Sequence, residues 1–320
     1  MAAILAAGCG STNKPPAKSS PKVTIAYTAW TGSGALLVAA KKDIFKKHGL
    51  DVEVQFIERV EERKQALKDN RVRAMVSSLD IALAASGEGV PIKIVWAFDS
   101  SNGADGIIVK KNSGIEKITD LKGREIALHK GSASHFFITT LLERNGMTES
   151  DIKIVDMKAG EAASAFVAGQ VDAAVTWEPY LSKAAASGER VLATTKDTPG
   201  VIADVLSVRE DLAEKNPEVV QALVAALAEA TEYLQKNPDD ANKIIAAGFK
   251  MKAEDVNADS KTIVFYDLQD NKIFFGTTDR KGHAYEIASN AIKFSVSQKT
   301  IVKMPELNKI IDSSYIYKVK

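Results

Sequence analysis

The sequence predicts an α/β protein built from doubly wound, parallel sheets, and three observations predict it. Short β-rich runs alternate with helical stretches from Val23 onward, the alternation restarts near Gly106, and long helical segments dominate after Leu206. Strands that alternate with helices form parallel sheets covered on both faces, and such strands read as short, nearly continuous apolar runs. At 320 residues the chain exceeds one ordinary domain, so the restart marks a second folding unit.

The first strand is Val23-Thr24-Ile25-Ala26-Tyr27, rich in the β-branched residues that suit a pleated surface. Gly32-Ser33-Gly34 then turns into an apolar helix over 35–47, stopped by His48-Gly49. A strand with alternating polarity follows at 52–57, a charged helix at 58–69, a strand at 73–77, a helix at 79–86 and an almost wholly apolar strand at 92–98. In the second unit, 106–109 is extended and 119–123 is a short helix with a glycine stop. A strand at 125–128 leads to a helix at 131–145 that Gly146 ends, in the usual position of a C-terminal glycine. Strands at 152–157 and 171–175 flank a helix at 161–168. Pro179 opens a helix to 186, and 190–194 is a strand. Helices at 217–235, 238–247 and 280–294 complete the chain.

Composition excludes several function classes. Lys and Arg number 42 against 41 Asp and Glu, a formal net charge of +1, whereas general nucleic-acid binding needs a basic excess. Cys9 is the one cysteine, so no internal disulfide forms and thiolate-rich zinc sites are ruled out. Only His48, His129, His135 and His283 could supply imidazole. Neither a metal nor a cofactor is expected.

Leu5-Ala6-Ala7-Gly8-Cys9 resembles the lipobox of bacterial lipoproteins, with Ala6 where that family most often has Leu. The resemblance implies a residual signal peptide at 1–8, cut from a truncated or miscalled start, and acylation of Cys9. Residues 9–21 are then a lipid anchor and flexible tether, dominated by Ser, Pro and Lys with no apolar residue spaced to pack. Acyl chains hold a protein on a membrane at roughly 0.8 kcal/mol per buried CH₂. No later apolar run reaches the ~18 residues that span a bilayer.

The ordered segments resemble the solute-binding proteins of the nitrate/taurine/sulfonate class of ABC importers, which are related to thiamine-precursor binders. The resemblance rests on residues 23–27 followed by Gly34-Ala35-Leu36-Leu37-Val38-Ala39-Ala40-Lys41-Lys42-Asp43-Ile44-Phe45 and His48-Gly49-Leu50-Asp51-Val52-Glu53-Val54. It continues through Ile118-Thr119-Asp120-Leu121-Lys122-Gly123-Arg124-Glu125-Ile126-Ala127 to Gly131-Ser132-Ala133-Ser134-His135. Ala165-Phe166-Val167-Ala168-Gly169-Gln170-Val171-Asp172-Ala173-Ala174 then runs into Trp177-Glu178-Pro179-Tyr180. It implies the type II periplasmic-binding fold, two doubly wound lobes with a ligand cleft between them. Lobe one would be residues 22–107 plus 204–320, and lobe two residues 108–203. It further implies a monomeric extracytoplasmic protein that delivers solute to a membrane permease and its ATPase.

In such lobes, ligands meet the carboxyl ends of strands and the N-termini of helices. Trp30, Trp96 and Trp177 fall at those positions, though Trp96 sits in the most apolar strand and suits core packing. Glu58, Asp80, Asp99, Asp105, Glu178 and Asp204 gather at the same places. Each acid also has a structural alternative. Asp80 suits a helix cap, Glu58 a solvated face, and Asp204 a hinge hydrogen bond. The stretches 27–34, 95–109 and 171–182 contain no Lys or Arg. Carboxylates beside indole faces suit a compact cation. The expected ligand is therefore a small nitrogen-rich cation, guanidinium- or amine-like. The expected binding residues are Trp30, Ser33, Asp80, Asp99, Asp105, Ser132, Trp177, Glu178 and Asp204. Taurine, another sulfonate or a thiamine precursor is the alternative, because Gly131-Ser132-Ala133-Ser134-His135 supplies hydroxyls and helix-terminal N–H groups to an anion. His135 near a helix start suits a structural role better than ligand contact, and the segment 264–276 suits packing on lobe one or the cleft rim.

A pyrimidine-precursor synthase on the same fold would need a reactive cysteine motif, which Cys9 in the tether does not supply. A sensory module feeding a receptor would use the same pocket.

Overall fold

The β-branched and apolar runs become eleven strands among the described residues of this computed structural model, which are 21–277 and 279–319. Cys9, the expected signal remnant and nearly all of the tether lie outside them. The strands are β1 Val23–Tyr27, β2 Val52–Phe56, β3 Ala74–Ser78, β4 Ile92–Ser101, β5 Asp105–Val109, β6 Glu125–Leu128, β7 Lys153–Asp156, β8 Ala173–Trp177, β9 Arg190–Thr194, β10 Ala203–Arg209 and β11 Ile263–Phe265. They form two sheets, ordered β11-β4-β10-β3-β1-β2 and β7-β6-β8-β5-β9. The chain passes between sheets over 102–104 and again over 195–202. Since β5 pairs wholly within the second sheet, the first passage precedes the expected boundary at 107/108.

The sheets are mixed, which corrects the expectation of parallel ones. β1 runs parallel to β2 and β3, and β6 parallel to β7 and β8. β10 lies antiparallel between β3 and β4, β11 is antiparallel to β4, and β5 is antiparallel to β8 and β9. Parallel neighbours need a crossover of a dozen or more residues. β5 and β10 arrive directly from the other sheet over short passages, so nothing forces them parallel.

Two of these strands escaped sequence reading. The apolar run in β10 borders helical sequence and reads as the start of a helix, and β11 is only three residues long. The helix expected at 35–47 is two, Gly34–Lys41 and Ile44–Lys47, because Asp43 adopts a left-handed backbone (φ 56°). The late helices are Pro217–Lys236, Pro238–Phe249 and His283–Ser297.

The first sheet carries the larger core, with Trp96 and Phe98 fully enclosed and the long helix Pro217–Lys236 against it. Trp96 is therefore core, as its strand suggests. Separate apolar clusters cover the two faces of the second sheet, one around Phe137 and Leu141, the other around Phe166 and Leu181. Phe136 departs from its neighbours and joins the first core.

Candidate functional site

The reversed strands determine where the site forms. An antiparallel strand begins where its parallel neighbours end. β10 thus sets Asp204 opposite Ser78, the last residue of β3, and β5 sets Asp105 opposite Trp177, the last residue of β8. Both acids consequently stand at the carboxyl edges of the sheets, where ligands bind in open α/β folds. A cavity of about 60 Å³ opens between them, several times the room one water needs, and its wall includes Trp30, Arg63, Ser77, Ser78, Ser132 and Trp177 as well as Asp105 and Asp204. A neighbouring cavity shares Thr28, Ala29, Glu58, His129 and Trp177 with it and adds Tyr180 and Lys158.

Of the expected binding residues, Trp30, Asp105, Ser132, Trp177 and Asp204 line the cavity. Asp80, Asp99, Ser33 and Glu178 stand outside its wall. Asp99 lies within β4, which extends to Ser101 and not only to 98, and it takes the indole N–H of Trp30 at 3.1 and 3.2 Å. The Ser33 hydroxyl donates to the Trp30 carbonyl at 2.9 Å. Glu178 accepts the Ser182 hydroxyl at 2.7 Å and the Ser182 N–H at 3.0 Å, holding the start of helix Tyr180–Ala185. The Ser132 hydroxyl donates to His129 O at 2.7 Å, which leaves its lone pairs free to accept. Glu58 is on the rim, 3.3 Å from Lys158 of the second unit.

The acids in and behind the wall are almost fully enclosed, and burial disfavours their charged form. It pushes Asp80 to about 6. Burial, with Glu178 and Asp80 nearby, raises Asp105 to about 7. Asp204 rises to about 8 through burial and the charges of Asp105 and Asp80, and Arg63 opposes the rise. Asp99 is pushed well above the carboxylate range by burial and by Asp204, against the Trp30 hydrogen bond. Asp80 Oδ1 and Asp105 Oδ2 are buried with no hydrogen-bond partner. Among the described residues no cluster of His, Cys, Asp and Glu could hold a metal ion.

The expectation of a cleft free of cations is overturned by Arg63. Its side chain is 2% exposed, lines the cavity, and donates from Nη1 to Ile57 O at 2.8 Å and Glu58 O at 2.7 Å. Nε is enclosed without a partner. Burial lowers the guanidinium to about 10, opposed chiefly by Asp204, so it stays charged at neutral pH. The loops read for charge did not include it because it reaches in from helix Val60–Lys68. One signal was available: Arg63 shares a helical face with Val60 and Leu67, and a charged residue on an apolar face calls for a buried role. Ser77 and Ser78 were also missed, since they end a strand that reads as core. Asp259, which accepts the Thr31 hydroxyl at 3.2 Å and is raised to about 6 chiefly by burial, comes from a helix that sequence reading did not mark.

The site therefore carries both signs. Asp105 and Asp204 beside two indoles suit an ammonium or other compact cation. Arg63, the serines and the N-termini of helices Leu79–Gly87 and Ala133–Arg144 suit an anionic group.

The NMT1/THI5-like family model matches residues 30–241. The taurine-binding periplasmic protein of Escherichia coli (strain K12) is 28% identical over 221 residues, 68% of this chain and 68% of that protein. The crystal structure of the periplasmic aliphatic sulphonate binding protein SsuA from Escherichia coli matches with a TM-score of 0.77 at 20% identity, covering 92% of this chain and 93% of that one. The alkanesulfonate-binding protein SsuA from Xanthomonas axonopodis pv. citri, bound to MOPS, matches with a TM-score of 0.75 at 19% identity, covering 92% and 99%. The family match spans more than half of the sequence and the fold likeness nearly all of it: the chain belongs to the NMT1/THI5-like family and has the type II periplasmic-binding fold.

Proposed function

We propose that this protein captures a small zwitterionic aminosulfonate, taurine or a close analogue, and presents it to an ABC permease and its ATPase outside the cytoplasm. One observation carries the reading: a single cavity puts Asp105, Asp204, Trp30 and Trp177 together with Arg63, Ser77, Ser78 and Ser132. An ammonium group faces the acids and indoles while a sulfonate takes the guanidinium and hydroxyls. Relatives named for taurine and sulfonate binding support it. The first sheet with its helices and the second sheet with its own act as two lobes that close on the ligand, with the passages at 102–104 and 195–202 as the hinge. Cys9 serves as the acylation site of a surface-anchored monomer.

A purely cationic ligand, guanidinium or a simple amine, is the second reading. The surplus of buried acids favours it, since Asp105 and Asp204 line the cavity with Arg63, and Asp80 and Asp99 are buried near those acids. Calorimetry with taurine, an alkanesulfonate, guanidinium and a simple alkylamine separates the two. Taurine should bind most tightly, and losing either its ammonium or its sulfonate should weaken binding. Tight guanidinium binding with none of taurine would overturn the aminosulfonate reading in favour of the cation.

A further inference from the structure

The helix His283–Ser297 packs on helix Leu79–Gly87 of the first sheet and also reaches helix Ala133–Arg144 of the second. The contact centres on His135, whose side chain is 2% exposed. Phe294 meets the imidazole edge to face, with centroids 5.0 Å apart, and lies 5.3 Å from the ring of Phe136. Polar bonds complete the contact. His135 Nε2 lies 3.1 Å from Glu149 Oε2, and the same oxygen accepts Gln298 Nε2 at 2.5 Å. Gln298 is the cap at the end of helix His283–Ser297. Glu149 thus joins the last turn of a helix carried by the first sheet to an imidazole carried by the second.

The other imidazole nitrogen faces the cavity loop. Gly131 donates its N–H to His135 Nδ1 at 3.2 Å. Gly131 has φ 72°, and the next residue, Ser132, lines the cavity and immediately precedes helix Ala133–Arg144. An imidazole nitrogen that accepts carries no proton, so the neutral ring must carry it on Nε2, aimed at Glu149. Burial lowers the His135 pKa, opposed by Glu149, with Lys130 and Asp156 the other charges that act on it. A neutral ring is therefore the consistent state. Protonating Nδ1 would set N–H against N–H and release Gly131.

We propose that His135 is a positioning residue that couples the Gly131–Ser132 ligand loop to a latch between the two halves of the protein, formed by Glu149, Gln298 and Phe294. The imidazole holds the loop with one nitrogen and helix His283–Ser297, through Glu149, with the other. Loosening the latch lets the ring shift and costs the loop its acceptor. The inference rests on the reading that the cavity receives the ligand, but its first two tests do not need a ligand.

Nitrogen-15 NMR of the imidazole should show a neutral ring with the proton on Nε2. A charged ring or a proton on Nδ1 overturns the proposal. Gln298→Ala touches neither the cavity nor the loop. It should raise amide exchange over 129–134 about two- to tenfold, the range set by one hydrogen bond, and unchanged exchange overturns the coupling. Gln298→Ala should also weaken taurine binding by a similar factor. His135→Asn keeps an acceptor for Gly131 and should bind taurine better than His135→Gln, which keeps only the donor toward Glu149. Equal affinity in these variants and the wild type overturns the positioning role. Failure of the wild type to bind taurine, with the tautomer and exchange results as expected, counts against the aminosulfonate reading alone.

Discussion

Trp30 gives its indole N–H to both oxygens of Asp99, at 3.1 and 3.2 Å, so a buried acid of the first sheet orients a wall of the cavity. Gly32 lies against the same pair. A Cβ there would come within 2.3 Å of the Asp99 carboxyl and of the indole nitrogen. Gly32-Ser33-Gly34 reads in sequence as an ordinary turn; the close approach of Gly32 is what the indole–carboxyl bond requires.

Gly32→Ala should therefore separate Trp30 from Asp99. We expect a loss of about 1–3 kcal/mol of stability from overpacking, measured by urea denaturation, together with weaker ligand binding. An unchanged midpoint would mean that the indole and the carboxyl relax without cost.

Trp30→Phe keeps an aromatic wall but removes the donor to Asp99. Leaving that buried carboxyl unpaired should cost about 1–3 kcal/mol. In a double-mutant cycle with Asp99→Leu, which removes the acceptor, the two losses should be strongly non-additive. Simple additivity would show that the bond contributes nothing measurable.

Asp105 is raised to about 7 and Asp204 to about 8, both chiefly by burial. Raised carboxyl pKa values mean that the native state holds protons the unfolded state has released, so this stability is lost as pH rises through the folded values. Ligand-free protein should lose stability from about pH 4, where the unfolded carboxyls release their protons, to about pH 8, where the native ones have done so. An ammonium-bearing ligand should show the opposite trend, binding up to about tenfold more tightly per pH unit for one coupled proton. Thermal shifts with and without ligand across that range read both signs, and pH-independent affinity would remove these acids from the site.

Arg63→Met removes the enclosed cation while keeping the bulk of the side chain. Taurine affinity should fall by about tenfold to a hundredfold, the worth of one or more charge-assisted hydrogen bonds. A simple amine should bind no worse. Equal losses for both would make Arg63 a clamp on Ile57 O and Glu58 O and no more.

Asp105→Asn should weaken binding, since Asp105 lines the cavity with an unpartnered oxygen. Glu178→Gln should leave affinity nearly unchanged, because both Glu178 oxygens are engaged by Ser182. Calorimetry on the two variants should separate them cleanly; parallel losses would return Glu178 to the ligand.

Much of the fold was legible in local pattern. The apolar runs, the glycine stops and the restart near Gly106 placed most strands and helices to within a few residues. The site was legible in part. Trp30, Trp177, Asp105, Ser132 and Asp204 were accessible because each stands at the end of a recognisable run or passage. Ser33 and Glu178 carry the same residue chemistry, but their polar atoms are satisfied locally, and one-dimensional spacing does not report hydrogen-bond partners. Arg63 was hidden because it lines the cavity from a helix face turned inward, away from the loops that carry the acids.

The sequence by itself determined the α/β class and an aromatic, acidic tendency at the strand ends, because these follow from periodicity and residue type, while the family resemblance rests on its ordered motifs. Only the tertiary structure decided that the cavity carries both signs. Sheet direction is set by how the chain returns between sheets, and that return brings Asp204 to Ser78 and Asp105 to Trp177. Burial then turns ordinary acids into proton-holding ones, and an inward helix face adds Arg63. Burial and long-range pairing are properties of the packed chain, so no count of residues along it could supply them.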